Sequence, residues 1–369
     1  MLLDATATYR AMEHDGLRAR WLSLSASIAL CSVAGVTYIF SLYTAALKHR
    51  FGLSQKQCDM VASAENIAGL FAVWVGIIID HCGPRFTCVL GGTLGAFGWL
   101  LMYSLFVVPF DVPSPYTFLL GLAFLQGNAA ALIDCTVVVC VSAGFPERRG
   151  QALGLAKAFI GSSAALYSMV FTGFFEPDII SFLAYVGLLY GFICTGSSFM
   201  LIRPPEGSLA HAATIDAQNA QTRFNAALVW ILVYLLSLLI GPFVVPPGDS
   251  EARRHLAAGT YSFFAAGLVY LGRPPTPRGL EMRLGSGEAK PPVKRMEASK
   301  PADLPPLTPG PPLTPGLRAL LSVMLSPPVL FQLVLLLISM TLGLGSGLML
   351  INNLESLHAS RVMCAFARA

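Results

Sequence analysis

Charge is what this sequence has least of. Only 12% of its 369 residues are Asp, Glu, Lys or Arg, about half the roughly 25% of a soluble domain. The charges gather into short islands. Between them run stretches of about 20 residues with almost none, the length a helix needs to cross a hydrocarbon core. Metal and redox spacings are also missing. None of the eight cysteines forms C-x-x-C, and most lie in apolar segments, where cysteine behaves as a small hydrophobe. Neither a metal site nor a disulfide framework is expected. There is no N-x-[ST] sequon, no G-x-S-x-G, no H-E-x-x-H and no P-loop, and the six histidines are scattered. The chain is therefore expected not to be an enzyme and to need no cofactor. The net charge of +4 comes from dispersed basic residues without aromatic interleaving, so nucleic acid is not an expected partner. Asp4, Glu13, Asp15 and Arg20 make the first twenty residues too polar for the apolar core of a cleavable signal peptide.

What is present is apolar length: 55% of the chain is hydrophobic. A bilayer favours helix over open sheet, because backbone groups find no water there. The expected fold is an all-α polytopic membrane protein. Six spans are read at Trp21–Leu47, Cys58–Ile79, Phe86–Val108, Tyr116–Val141, Leu153–Phe175 and Ile180–Ile202. Ala226–Val245 is a seventh without charge, the shorter Leu256–Leu271 an eighth and Val329–Leu350 a ninth. Residues 273–317 change character: they are rich in proline, and PPLTPG occurs twice in tandem, at 305–310 and 311–316. Such density of proline favours an extended, solvated linker.

The expected organisation is thus a cytoplasmic tail at 1–20, a first six-helix bundle at 21–202 and a cytoplasmic loop at 203–225. An inserted helix pair at 226–272 and the proline-rich linker at 273–317 follow. Residues 318–357 would be the first helix of an incomplete second bundle, and 358–369 a tail. With the N-terminus in the cytoplasm, most of the 24 Lys and Arg fall on inner segments, as the positive-inside rule asks, although Lys48, Arg50 and Lys56 cluster outside.

Between spans two and three stands Gly76-Ile-Ile-Ile-Asp80-His81-Cys82-Gly83-Pro84-Arg85. Gly76 would let helix backbones approach closely. Asp80 lies at a helix C-terminus, where the dipole disfavours an anion, and Arg85 would supply a nearby cation. Gly83 and Pro84 suit a tight turn. The segment resembles the G-x-x-x-D-x-x-G-x-[RK] signature of the major facilitator superfamily. Three further segments resemble its plant nodulin-like branch: Gly35, Tyr38, Phe40 and Tyr43 leading into Phe51–Gln55; FPERRGQALGLAKAFIGSSAALYS at 145–168; and GLGSGLMLINNLESL at 343–357. The resemblance covers roughly 20–357 and implies a major-facilitator-like six-helix N-terminal bundle plus about three further transmembrane helices. It also implies secondary transport of a small solute. Two elements depart from the superfamily: Ala123 stands where many proton-coupled members carry the arginine of R-x-x-Q-G, and the antiporter element of span five is absent. Members carry a second six-helix half. Only its first helix is expected here, so the chain is expected to be inactive alone.

Charges inside membrane segments are functional candidates. Asp134 in span four and Lys157 in span five lie at similar depth and could pair in a central cavity; alternatively Lys157 snorkels to the surface and Asp134 caps locally. Glu65 and Asn66 in span two, and Gln126 and Asn128 in span four, could line a substrate path or bond between helices. Glu65 is the stronger functional candidate, because an unused buried carboxylate is costly. Tyr38 could touch substrate or serve helix packing. The expected partners are the lipid bilayer and a small solute of unknown identity, a small organic anion or metal-linked solute by resemblance. The competing reading is a non-transporting scaffold or regulator, with Thr308-Pro309 and Thr314-Pro315 as docking or phosphorylation sites. The sequence marks neither plasma membrane nor vacuolar or organellar membrane.

Overall fold

The computed structural model describes residues 2–70, 73–108, 114–201, 208–246 and 249–273. The proline-rich stretch, the ninth span and the segment at 343–357 lie outside the described residues. Helices α1 (Leu2–Ala34), α2 (Phe40–Phe51), α3 (Gln55–Leu70), α4 (Val73–Val107), α5 (Pro115–Gly144), α6 (Arg149–Val170), α7 (Ile179–Met200), α8 (Ser208–Val244) and α9 (Ser250–Gly272) follow in order, with no strand among the described residues. Six helical segments there are long and apolar enough to cross a membrane: Arg18–Phe51, Trp74–Val107, Pro115–Gly144, Pro146–Phe175, Ile179–Met200 and Ala220–Val244. The architecture is the expected all-α, polytopic one.

The first span is one rod with a tightened centre. A 3₁₀ turn at Gly35–Ile39 joins α1 to α2. It lies where a Cβ on Gly35 would overlap the Ser163 hydroxyl of α6, so only glycine allows this approach. Helix α2 ends at Gly52, whose left-handed φ of 63° lets its N–H donate to the Lys48 carbonyl at 2.9 Å.

Expected spans two and three become α3 and the two arms of α4. Gly83, at φ 82° and ψ 167°, is non-helical inside α4 and separates the arms. This is the tight turn that Gly83-Pro84 foretold. Trp74 and Val75 of the first arm meet Leu90 and Leu94 of the second and Leu132 of α5. The second arm lies along α7, where a Cβ at Gly92 or Gly95 would run into Cys194 or Tyr190.

Helix α8 begins at Ser208, well inside the expected polar loop at 203–225. The reason is local: from Ser208 to Arg223 the chain has no proline or glycine and five alanines, and alanine is the best helix former. Helix α9 likewise starts at Ser250, before the apolar stretch, because the Asp249 side chain accepts from the Ala252 N–H at 2.9 Å and caps it. Trp230 and Tyr234 of α8, Phe159 of α6 and Phe264 of α9 form one aromatic cluster, with ring centroids 5.0–6.1 Å apart. The Arg253–Glu176 ion pair, at 2.6 Å, ties the start of α9 to the α6–α7 turn.

That turn ends on Asp178, whose carboxylate accepts from the Ile180 and Ser181 N–H groups, both at 3.1 Å, and from the Ser181 hydroxyl. The Ser181 bonds hold its carboxyl below the ordinary 3.8. A depressed folded value means that this contribution is present above about pH 4 and fades as pH falls below it. Asp178→Ala is expected to lower stability by about 1 kcal/mol, as for other N-cap losses. Thermal melts at pH 7 and pH 3 check it: the difference between wild type and variant narrows at the lower pH.

Candidate functional site

Within the bundle, four elements enclose a cavity of about 460 Å³. Its walls come from the 3₁₀ turn after α1, from α3, from α5 and from α6. Helical spacing explains which residues face inward. Gly127, Ala130, Ala131 and Asp134 recur at three and four positions along α5, as do Lys157, Ile160 and Gly161 along α6. Small residues open the space; the polar residues among them give it chemistry. The volume lies in the range of small-molecule pockets, about 300–1,000 Å³.

The cavity brings together all four residues singled out as substrate or coupling candidates: Tyr38, Glu65, Asp134 and Lys157. Lys157 donates from Nζ to Oδ1 of Asp134, in an ion pair whose side chains keep 37% and 40% of their exposure. The pair therefore stands in the cavity wall rather than in the packed interior. Glu65 differs. It is 3% exposed, and its Oε1 has no hydrogen-bond partner among the described residues. Asn66 spends its amide on the Ala62 carbonyl of its own helix, at 2.8 Å. Tyr38 is half-buried beside Thr37, on the 3₁₀ turn that lines the cavity.

Neighbouring polar residues of α5 sort differently. Asn128 accepts from Trp74 Nε1 at 3.1 Å and donates to the Phe124 carbonyl at 2.8 Å, a bond between helices with no face on the cavity. Gln126 is buried against Gly98 of α4 with neither amide atom hydrogen-bonded among the described residues. Thr37, Gly127 and Cys135 line the cavity without having been singled out. The signal for Gly127 and Cys135 was their place on the Asp134 face of α5.

The signature segment departs from two expectations. Among the described residues Gly76 makes no close approach: a Cβ there would meet nothing within 4 Å. Close packing of α4 is carried instead by Gly91, Gly92 and Gly95 on the other arm. Arg85 is not the partner of Asp80. Its Nε donates to the Leu201 carbonyl at 2.9 Å, capping the end of α7, while Asp80 is exposed and in no ion pair among the described residues. The reason is the Gly83 turn, which puts Arg85 at the start of the arm that lies along α7. Among the described residues no group of three or more His, Cys, Asp or Glu is placed to hold a metal.

Comparison with known proteins agrees with the geometry. The Nodulin-like family profile matches residues 20–253. Protein NUCLEAR FUSION DEFECTIVE 4 of Arabidopsis thaliana is 29% identical over 156 residues, covering 41% of this chain and 26% of that protein. The oxalate:formate antiporter of Oxalobacter formigenes is 24% identical over 251 residues, 65% of this chain and 57% of that one. Monocarboxylate transporter 13 of Bos taurus is 28% identical over 164 residues, 44% of this chain and 37% of that one. The chain thus matches between about a quarter and three fifths of the length of these relatives.

Proposed function

The chain belongs to the Nodulin-like family, and from that premise we propose that it is a multi-pass membrane transporter whose 21–202 bundle carries a site for a small organic anion. The observation that carries this reading is the convergence of Tyr38, Glu65, Asp134 and Lys157 on one cavity. Lys157 is the only cation among the described residues that line it. An incoming carboxylate takes the place of Asp134 on the Lys157 ammonium, and the Lys157–Asp134 pair closes again when the anion leaves. Such an exchange costs little, because a half-exposed ion pair is weak. The names of two relatives, oxalate:formate antiporter and monocarboxylate transporter, point to small carboxylates. Glu65 and Tyr38 line the same cavity as Lys157. Translocation in this architecture is rocking of two bundles about a midplane site, with 226–272 as a pair appended to the first bundle.

The test is uptake of radiolabelled oxalate, formate and lactate into proteoliposomes holding the full chain. Saturable uptake is the result this reading requires, and it would overturn the expectation that the chain is inactive alone. Lys157→Ala is expected to reduce it roughly tenfold or more, the effect of losing a hydrogen bond to a charged group, about 1.5–3 kcal/mol. Lys157→Arg should retain part of it. Uptake no greater than in protein-free vesicles for all three anions rejects the reading. Binding without uptake returns the non-transporting scaffold.

A further inference from the structure

A second, larger space lies outside the bundle centre. Helices α1, α7 and α9 border a groove of about 540 Å³. Its walls are apolar, with Leu22 and Ala29 from α1, Ile193 and Gly196 from α7, and Ala265 and Leu268 from α9. Helices α1 and α9 are held at fixed spacing here: Ser25 Oγ donates to the Leu268 carbonyl at 2.8 Å, and a Cβ on Gly272 would sit 3.3 Å from Leu22. The groove is open on its outer side, where Phe192 and Val269 are 78% and 59% exposed.

Its charged groups are gathered at one end, while Ser25, Ser197 and Tyr261 are the uncharged polar residues along it. Arg18 stands one turn before Leu22 at the start of the apolar part of α1, and Arg273 follows the last residue of α9. Met200, the last residue of α7, borders the same end. Both arginines are exposed, neither is in an ion pair among the described residues, and no Asp or Glu lines the groove. From Tyr261 to Gly272 the groove follows α9 for eleven steps, roughly 16 Å at the helical rise. That is about half the roughly 30 Å hydrocarbon thickness, one leaflet. A slot one leaflet deep, mostly apolar and uncharged along its length and cationic only at its mouth, has the charge and shape of an anionic lipid in reverse. Basic pockets between transmembrane helices on the cytoplasmic side favour anionic headgroups, and the distribution of Lys and Arg puts this mouth on that side.

We propose that the α1–α7–α9 groove binds one anionic glycerophospholipid of the leaflet at its mouth, with the phosphate on Arg18 and Arg273 and an acyl chain along the groove. The lipid would brace α9 against the first bundle at a place where Gly196 and Ala265 leave the contact thin. This site is separate from the Lys157 cavity and stands whether or not the chain carries anions.

Native mass spectrometry of the full chain with phosphatidylglycerol and phosphatidylcholine of identical acyl chains tests it. One phosphatidylglycerol should be retained preferentially, with a rise in melting temperature. The Arg18→Gln, Arg273→Gln double variant should lose that preference by about thirtyfold, the effect of two basic residues at an anionic surface. Ala265→Trp should abolish retention by filling the slot. Where that variant does not give a monodisperse size-exclusion peak, the exposed Arg18→Gln alone decides, with a loss of about fivefold. Equal retention of the two lipids overturns the proposal. So does a preference unchanged in the arginine variants, which would mean that another surface or the chain's own residues fill the groove. Inorganic phosphate matching the lipid's thermal shift at equal concentration overturns the lipid as its source.

Discussion

Glu147→Ala is expected to destabilise the bundle by about 3 kcal/mol, the lower end of the range for breaking one side of a buried ion pair. Arg20 lies in α1 with its side chain 0% exposed, and Glu147, in the α5–α6 turn, is its partner at 30%. The guanidinium also lies 4.2 Å from the Phe145 ring. Around it Trp21, Phe145 and Phe224 close an aromatic triangle with centroids 5.1–5.5 Å apart. Arg223 covers the other face of this group, 4.2 Å over Trp21, and caps the end of α9 by donating to the Leu271 and Arg273 carbonyls at 2.9 and 2.6 Å. The cluster joins α1, the α5–α6 turn, α8 and the end of α9. Without Glu147 a buried cation remains whose Nε and Nη1 already lack acceptors among the described residues. The partial exposure of Glu147 keeps the cost low in the range. Thermal unfolding in detergent checks the loss. The Arg20→Met, Glu147→Leu pair should be more stable than Glu147→Ala alone, because removing both charges removes the desolvation cost as well. A double variant that falls further than the single would show that packing, not charge, dominates this corner.

Gly127→Leu is expected to have an effect of similar size and a second consequence. A Cβ at Gly127 would overlap the carbonyl oxygen of Glu65 and come within 2.8 Å of the Ala68 Cβ and 2.9 Å of the Glu65 carbonyl carbon. These are mostly backbone atoms, and no rotamer removes them. Helix α3 must move away from α5. Overpacking of this kind costs about 1–3 kcal/mol, and the upper value applies where backbone is the obstacle. Because α3 carries Glu65 and α5 carries Asp134, the same displacement deforms the cavity. Loss of carboxylate binding should therefore accompany the loss of stability. Gly161 supplies the control. It lines the same cavity, but a Cβ there would meet nothing within 4 Å. Gly161→Ala should melt with wild type. Gly127→Ala melting with it too would refute the close α3–α5 contact.

Much of the site was legible because depth can be counted along a helix. Asp134 lies ten residues before the end of α5 at Gly144 and Lys157 eight after the start of α6 at Arg149, a similar depth, and antiparallel α5 and α6 bring them into contact. Glu65 stood out because carboxylates are rare in apolar segments, and its buried Oε1 has no hydrogen-bond partner among the described residues. Gly83-Pro84 read as a turn because left-handed φ is a local property of glycine. Gly76 and Arg85 were misread because close approach and charge pairing were inferred from neighbours in sequence. Their neighbours in space are set by the α4–α7 contact instead. The start of α8 was missed because polarity was taken as loop, while its alanines favour helix.

The sequence by itself determined that this chain is built of membrane helices, where most of them turn, and at what depth their charges lie. Those properties follow from composition along the chain and from a fixed rise per residue. Only the tertiary structure decided which faces meet: that Gly127 touches the backbone of Glu65, that Arg20 meets Glu147 across 127 positions, and that α9 leaves a groove beside α1. Successive residues rotate by about 100° around a helix axis. In a segment apolar on all sides, hydrophobic periodicity does not say which face turns inward. The cavity that opens on Lys157 is a product of those rotations, and they are settled by packing.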